Sequence, residues 1–261
     1  MEKIKQLINK FIKKKVSIDI PENKFDKILQ FYNNENLKIL CWNIKILPYK
    51  LKTLDYINIL YNKIKEHDPD VICIQECFAS LLKNKTKFLS KFHKYNYSIM
   101  PIESINLSDS GLIILSKYTI EESIFDTFND CSKLNCLAGK GVLIIRIGDL
   151  WIFNTHLDAN AIDNLINIQI KQLDQINKIY NNLKNYNPNY KFIILGDFNI
   201  NINNYNNNKF MKNYFDLKLL SKPNKNTWKY KTLDLIYSNL NLNIDIHDNY
   251  PSDHNLIIIN V

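Results

Sequence analysis

Six short apolar runs of this chain each lead into side chains able to hold a cation or move a proton. The run 37–42 leads into Asn43, and the run 71–75 into Glu76. The run 151–155 leads into His156, with Asp158 two residues on. The run 192–196 leads into Asp197 and Asn199. Asp234 sits at the head of the run 233–237, and Asp253 and His254 stand directly before the final run. A charge buried at a strand end is costly unless it is paired or bound to metal. The set offers hard carboxylate and amide oxygens together with two imidazoles. Such donors suit Mg²⁺ or Mn²⁺ rather than Zn²⁺, and no CxxC pair or HExxH pattern offers a zinc site. Mg²⁺ takes few protein ligands and completes its shell with water and substrate phosphate, so carboxylates scattered along a chain fit it better than a cage would.

Each residue taken singly has a plainer reading. A Glu after a strand is commonly a solvated turn residue, an Asn caps a turn, a His satisfies a local hydrogen bond, and Asp253 with His254 could cap a helix. Six strand ends with the same chemistry are harder to read as turns.

The elements that must position these groups are legible as apolar periodicity. Runs at 37–41, 71–74, 111–115, 142–147, 151–155, 192–195, 233–237 and 256–261 have strand length and β-branched content. Most are continuous rather than alternating, which predicts strands buried on both faces. Helices are predicted over about 51–66 and about 161–183, the second with Ile162, Leu165, Ile166, Leu173, Ile176 and Ile179 on one side. The Asn-rich stretch 201–208 reads as a loop. Strands interleaved with helices predict sheets covered by helices.

The 261 residues fit a single core, and the 46% hydrophobic and 12% aromatic content exclude a disordered chain. The formal charge of +8 suits an anionic partner. A bias toward Lys, Asn and Ile would give the same charge, and the two explanations weigh equally. Residues 1–36 are Lys-rich, with Ile4, Leu7, Ile8, Phe11 and Ile12 at helical spacing. A basic amphipathic helix can lie on an anionic membrane, but packing on the domain with a solvated Lys face is the favoured reading. The five cysteines, odd in number and lacking CxxC, predict reduced thiols in a cytoplasmic protein, with Cys41 and Cys73 as buried hydrophobes. No apolar run approaches the roughly 18 residues of a membrane span. No obligate protein partner is expected.

In this order the motifs resemble the endonuclease/exonuclease/phosphatase superfamily. The resemblance is carried by Trp42-Asn43, Ile74 to Glu76, Asn154 to Ala159, Leu195 to Asn199, Leu233 to Ile236 and Ser252 to His254, and it runs from about residue 37 to the C-terminus. It implies an α/β fold, a four-layer sandwich with two facing mixed β-sheets flanked by helices. It implies a Mg²⁺-dependent phosphodiesterase domain over 37–261 behind the helical extension 1–36. By resemblance Glu76 is the principal metal ligand, supported by Asn43, with Asp253 close to the metal. His156 and Asn199 hold the scissile phosphate. Asp197 aligns the attacking water, and His254 is the catalytic imidazole, oriented by Asp234. Either Asp197 or His254 could take the proton of the water.

Three further stretches resemble the neutral sphingomyelinases: Ser110 to Ser116, Cys136 to Val142, and His156 to Ala159. Lys140 matches a phosphate-contacting Lys of that branch, although a solvated Lys in a Gly-flanked turn is equally common there. Asn135 stands where the branch has an Asp that pairs with this Lys, and an Asn cannot form that ion pair. The branch implies a choline phospholipid as substrate, met peripherally at a membrane. DNA or RNA is the alternative, because it is also a phosphodiester attracted by basic charge.

Overall fold

The computed structural model describes residues 37–47, 52–79, 83–93, 95, 97–99, 109–132, 135–136, 138–159 and 166–261. The expected helical extension at 1–36 lies outside them. In chain order the elements are β1 (Lys38–Ile46), α1 (Leu54–His67), β2 (Val71–Cys77), α2 (Asn84–Leu89), β3 (Tyr97–Ile99), β4 (Ile113–Ser116), β5 (Glu122–Thr127), β6 (Gly141–Ile147), β7 (Leu150–His156), α3 (Asn167–Tyr186), β8 (Lys191–Asp197), α4 (Tyr205–Lys212), β9 (Lys218–Leu219), β10 (Asp234–Ser238), β11 (Asn243–His247) and β12 (Leu256–Asn260).

Among the described residues the strands form two six-stranded sheets, β11-β12-β1-β2-β4-β3 and β5-β6-β7-β8-β10-β9. Each contains one parallel pair, β1–β2 in the first and β7–β8 in the second, among antiparallel neighbours. Both sheets are therefore mixed, and the expected sandwich is what the chain adopts.

The continuous apolar runs have a simple cause: each central strand is covered on both faces. Successive side chains of a strand point to opposite faces. In β1, Ile39 and Cys41 face the other sheet, where they meet Leu143, Ile145, Ile152, Ile193 and Leu195. Leu40 and Trp42 face outward onto Ile57, Leu60 and Ile64 of α1. In the second sheet Phe153, Phe192 and Ile194 face outward onto Leu173, Ile176, Tyr180 and Leu183 of α3. Both helices thus bury a stripe at three- and four-residue spacing. Thr53 caps α1 by accepting the Tyr56 N–H, and Asp68 ends it in the left-handed region at φ 43°.

Three sequence expectations are corrected. The Asn-rich stretch 201–208 is not all loop, because α4 starts inside it. The Asn204 side chain accepts the N–H groups of Asn206 and Asn207, and the buried Met211 anchors the helix. The helix expected from about 161 is α3, which begins at Asn167. Residues 160–165 lie outside the described part of the chain. Cys131 and Cys136 are not free thiols: with Cα atoms 5.1 Å apart they form a disulfide. Cys41, Cys73 and Cys77 are free and buried. Among the described residues no helix is long and apolar enough to cross a membrane.

Candidate active site

The C-terminal ends of the two parallel pairs meet. In the first sheet the β1–β2 register shifts between Asn43 and Ile46, with Lys45 in a left-handed conformation (φ 51°). The shift brings Asn43 beside Glu76, and its Nδ2 donates to Glu76 Oε1 at 3.1 Å. In the second sheet His156 and Asp197 stand opposite each other in the β7–β8 register. Gly196, at φ 135°, is required between them and the core. A Cβ there would lie 2.1 Å from the Thr155 carbonyl oxygen, so only glycine lets β7 and β8 close in front of Asp197.

The halves are stitched together just beneath these ends. Asn154 Nδ2, from the second sheet, donates to the carbonyls of Ile74 (2.9 Å) and Ile113 (3.1 Å) in the first. Gln75 Nε2 donates back to Asn154 Oδ1 at 2.7 Å. At the surface of the stitch Asn43 Nδ2 also donates to Asp197 Oδ2 at 3.0 Å. His156 Nε2 lies 3.9 Å from Glu76 Oε1 and 3.7 Å from Asp197 Oδ2.

His254 joins from the first sheet, entering β12. Its Nδ1 is 2.9 Å from Asp234 Oδ2, and its Nε2 faces Asp197 Oδ2 at 3.6 Å. Its carbonyl accepts the Trp42 indole N–H at 2.7 Å. Asp234 is set by Thr227, whose Oγ1 accepts the N–H groups of Leu233 and Asp234, each at 3.0 Å. Burial would lower the His254 imidazolium, but the carboxylates of Asp234 and Asp197 outweigh it and hold the ring up at about 10. Burial pushes the Asp197 carboxyl above its usual range, helped by the charges of Asp234 and Glu76. The result is a buried imidazolium against a buried, weakly acidic carboxyl.

His156 differs. Burial, and the charges of Lys140 and His254, hold it well below its ordinary range, so it is a neutral imidazole. Its Nε2 lies 3.1 Å from Lys140 Nζ, which also donates to the Leu157 carbonyl at 2.7 Å. Burial lowers Lys140 as well, against the pull of Asp197, Glu76 and Asp158. Lys140 is thus inside the site rather than in a solvated turn. Asn199 Nδ2 donates to the same Leu157 carbonyl at 3.1 Å, and its own N–H donates to Asp197 Oδ1 at 2.9 Å.

Eight of the nine expected residues converge: Asn43, Glu76, Lys140, His156, Asp197, Asn199, Asp234 and His254. Asp253 is held by other partners, although its charge helps to raise His254. Its Oδ2 pairs with Lys45 Nζ at 2.5 Å and accepts the Trp228 indole N–H at 3.2 Å. Trp228 was not anticipated, yet its ring lies 6.2 Å from that of His254. Asn135 is held to Asp158. Its Nδ2 donates to Asp158 Oδ1 at 3.1 Å, beside Ser132, whose hydroxyl and N–H bind the same carboxylate. The disulfide-closed turn is thereby tied to the residue two beyond His156.

One carboxylate, one imidazole and a second carboxylate, from Glu76, His156 and Asp197, offer ligand atoms all within 4.8 Å of one another. Glu76, Asp197 and Asp234 bring three carboxyl groups to a site whose facing cations are Lys140 and His254. That donor set fits a hard divalent cation, which Glu76, supported by Asn43, would hold and which would supply charge neutralisation at a phosphate.

A model of the Endonuclease/Exonuclease/phosphatase family matches residues 40–254. The chain belongs to that family. Among relatives, a sphingomyelinase of Dictyostelium discoideum is 30% identical over 125 residues, 41% of this chain and 27% of its own length. Sphingomyelinase C 2 of Leptospira interrogans is 28% identical over 250 residues, 85% of this chain and 37% of its own length. The chain therefore spans about a third of the length of the curated relatives it matches. Among solved structures, SmcL superposes with a TM-score of 0.73 at 17% identity, over 87% of this chain and 99% of that one. A Staphylococcus aureus beta toxin variant with bound magnesium ions superposes at 0.67 with 19% identity, over 86% and 99%. At such identities the likeness establishes the fold of this family member, including its two facing sheets.

Proposed function

We propose that this family member is a Mg²⁺-dependent phosphodiesterase of the sphingomyelinase-like branch, cleaving a choline phospholipid on the glycerol- or ceramide-like side of its phosphate. The observation that carries the chemistry is the convergence of Glu76 and Asn43 from one sheet with His156 and Asp197 from the other, beside the Asp234–His254 pair. A divalent cation on Glu76 and Asn43 would neutralise charge at the phosphate. His156, Asn199 and Lys140 would hold the phosphate oxygens: Asn199 Nδ2 and Lys140 Nζ as donors, and His156 once its Nε2, which accepts from the Lys140 ammonium, carries the ring proton. Asp197, made more basic by its surroundings, takes a proton from the attacking water as the new O–P bond forms. His254, kept cationic by Asp234 and Asp197, gives its Nε2 proton to the leaving alkoxide as the old O–P bond breaks.

The lipid reading draws on the sphingomyelinase relatives and on exposed aromatic residues in the segments that lead to His254 and pair with it. Tyr230, 73% exposed, tips the turn in which Trp228 bridges to His254, and Tyr250, 65% exposed, lies four residues before it. Such rings suit the interfacial level of a membrane. The test is the purified protein with Mg²⁺, and with EDTA, on sphingomyelin vesicles and on plasmid DNA. Mg²⁺-dependent phosphocholine release without nicking is expected. Nicking without phosphocholine release would transfer the site to the nucleic-acid reading.

A further inference from the structure

Glu76 occupies an unusual backbone. At φ 55° it lies in the left-handed region, although it is neither glycine nor asparagine. Such a conformation persists only where surrounding structure imposes it, and here it bends the end of β2 so that the side chain meets Asn43. The imposing contacts lie in the segment that follows. The Cys77 N–H donates to the Gly111 carbonyl at 2.9 Å and the Phe78 N–H to the Ile46 carbonyl at 3.1 Å. The Phe78 ring packs so closely on Gly111, itself at φ 68°, that a Cβ there would sit 2.8 Å from the ring.

The third fastening is of a different kind. The Ala79 N–H donates to Asp109 Oδ1 at 2.9 Å. The other oxygen of Asp109 is ion-paired with Lys85 of α2. Both side chains are more than nine-tenths buried, 8% and 7% exposed, and neither belongs to the motifs that mark the active site. A buried ion pair is weak as a source of stability, because desolvation consumes most of the attraction. A pair of hydrophobic residues would serve a purely structural purpose as well. What hydrophobic residues cannot supply is an acceptor for the Ala79 N–H.

We propose that the Lys85–Asp109 pair is a positioning device for the metal ligand: Asp109 holds the chain leaving Glu76, and Lys85 holds Asp109 in place while it does so. Lys85 is itself seated by α2, whose Phe88 packs in the same outer core as Trp42 and Ile74. The link therefore runs from α2 through Asp109 and Ala79 to the carboxylate at the cation site. It rests on the reading of Glu76 as a metal ligand. Partners one step removed from a metal commonly change its affinity by about 10- to 100-fold when removed.

The test is Mn²⁺ binding to the full chain, read from the EPR signal of free Mn²⁺ together with thermal melting. Lys85→Met/Asp109→Asn removes both charges but keeps an oxygen for the Ala79 N–H. Lys85→Met/Asp109→Leu removes the oxygen too. The first is expected to bind Mn²⁺ within about threefold of the parent, and the second about tenfold or more weakly while still melting cooperatively. If the second does not fold, Ala79→Pro, which deletes the N–H and leaves the Lys85–Asp109 pair in place, takes its place with the same expectation. Unchanged Mn²⁺ affinity in the folded Asp109→Leu or Ala79→Pro protein overturns the proposal. Equal weakening in both double variants overturns the route through Ala79. Glu76→Gln is the separate control: if it leaves Mn²⁺ binding intact, Glu76 is not the ligand, whatever the double variants do.

Discussion

The two halves of the active site are built on opposite principles. The half on β7 and β8 is dry. Asp197 is 1% and His156 5% exposed, and both carry acidities displaced by burial and by their neighbours. The half on β1 and β2 is open only at its tip, because Asn43 is buried and the carboxylate it meets is not. Glu76 is 20% exposed, and what is special about it is its backbone. The difference follows from the work each half would do. Proton transfer gains from a dry site in which neighbouring charges act at full strength. A Mg²⁺ ligand gains from access to water, because the ion keeps much of its hydration shell and must enter and leave. Electrostatics tunes one half and geometry tunes the other.

Substitutions should separate the halves. His254→Ala is expected to lower kcat by about 10²- to 10⁴-fold, the usual worth of a positioned acid or base, while Mn²⁺ affinity changes little. Excess Mg²⁺ should not restore it. Glu76→Gln should instead weaken metal binding by at least about tenfold, and added Mg²⁺ should recover part of the activity. Steady-state rates across a Mg²⁺ titration, made for both variants, check this. If Mg²⁺ rescues the two alike, the division is mistaken.

Acidity gives the next effect. Folding raises His254 from an ordinary value near 6.5 to about 10. The stability that this shift contributes is complete below about 6.5 and is lost as pH rises through about 10. Urea unfolding of the metal-free protein should therefore show Asp234→Asn costing most near pH 6 and least above pH 10. NMR titration should find the His254 ring charged, and the His156 ring neutral, at pH 7. The smallest change is expected at the margin of the dry half. Asn135→Asp sets a carboxylate against Asp158 in place of a hydrogen bond, a loss of about 1–3 kcal/mol. It should lower Tm by several degrees and leave Mn²⁺ affinity unchanged.

The central strands were legible because burial on both faces leaves unbroken apolar runs, and their polar ends named most of the site. The edges were not. Strand β11 alternates exposed Asn243 and Asp245 with partly covered Ile244 and Ile246, and β5 carries Glu122 and Asp126, so neither forms an apolar run. Helix α4 hid behind asparagines that read as loop until Asn204 was found capping it. The Cys131–Cys136 pair, the Lys45–Asp253–Trp228 group and the Lys85–Asp109 pair depend on contacts between segments distant in sequence or on loop shape. Spacing alone encodes none of these. Lys140 is instructive in the same way: its sequence left a phosphate contact and a solvated turn in balance, and the fold brings its ammonium to His156 and Leu157.

The central claim is that these two halves together make a metal-dependent phosphodiesterase, whatever group the phosphate carries. Hydrolysis of bis(p-nitrophenyl) phosphate by the purified chain tests this without assuming a lipid. Release of nitrophenol should require Mg²⁺, stop with EDTA, return when Mg²⁺ is restored, and fall by at least about 10²-fold in His254→Ala. A rate indifferent to EDTA, or intact in His254→Ala, would contradict the account.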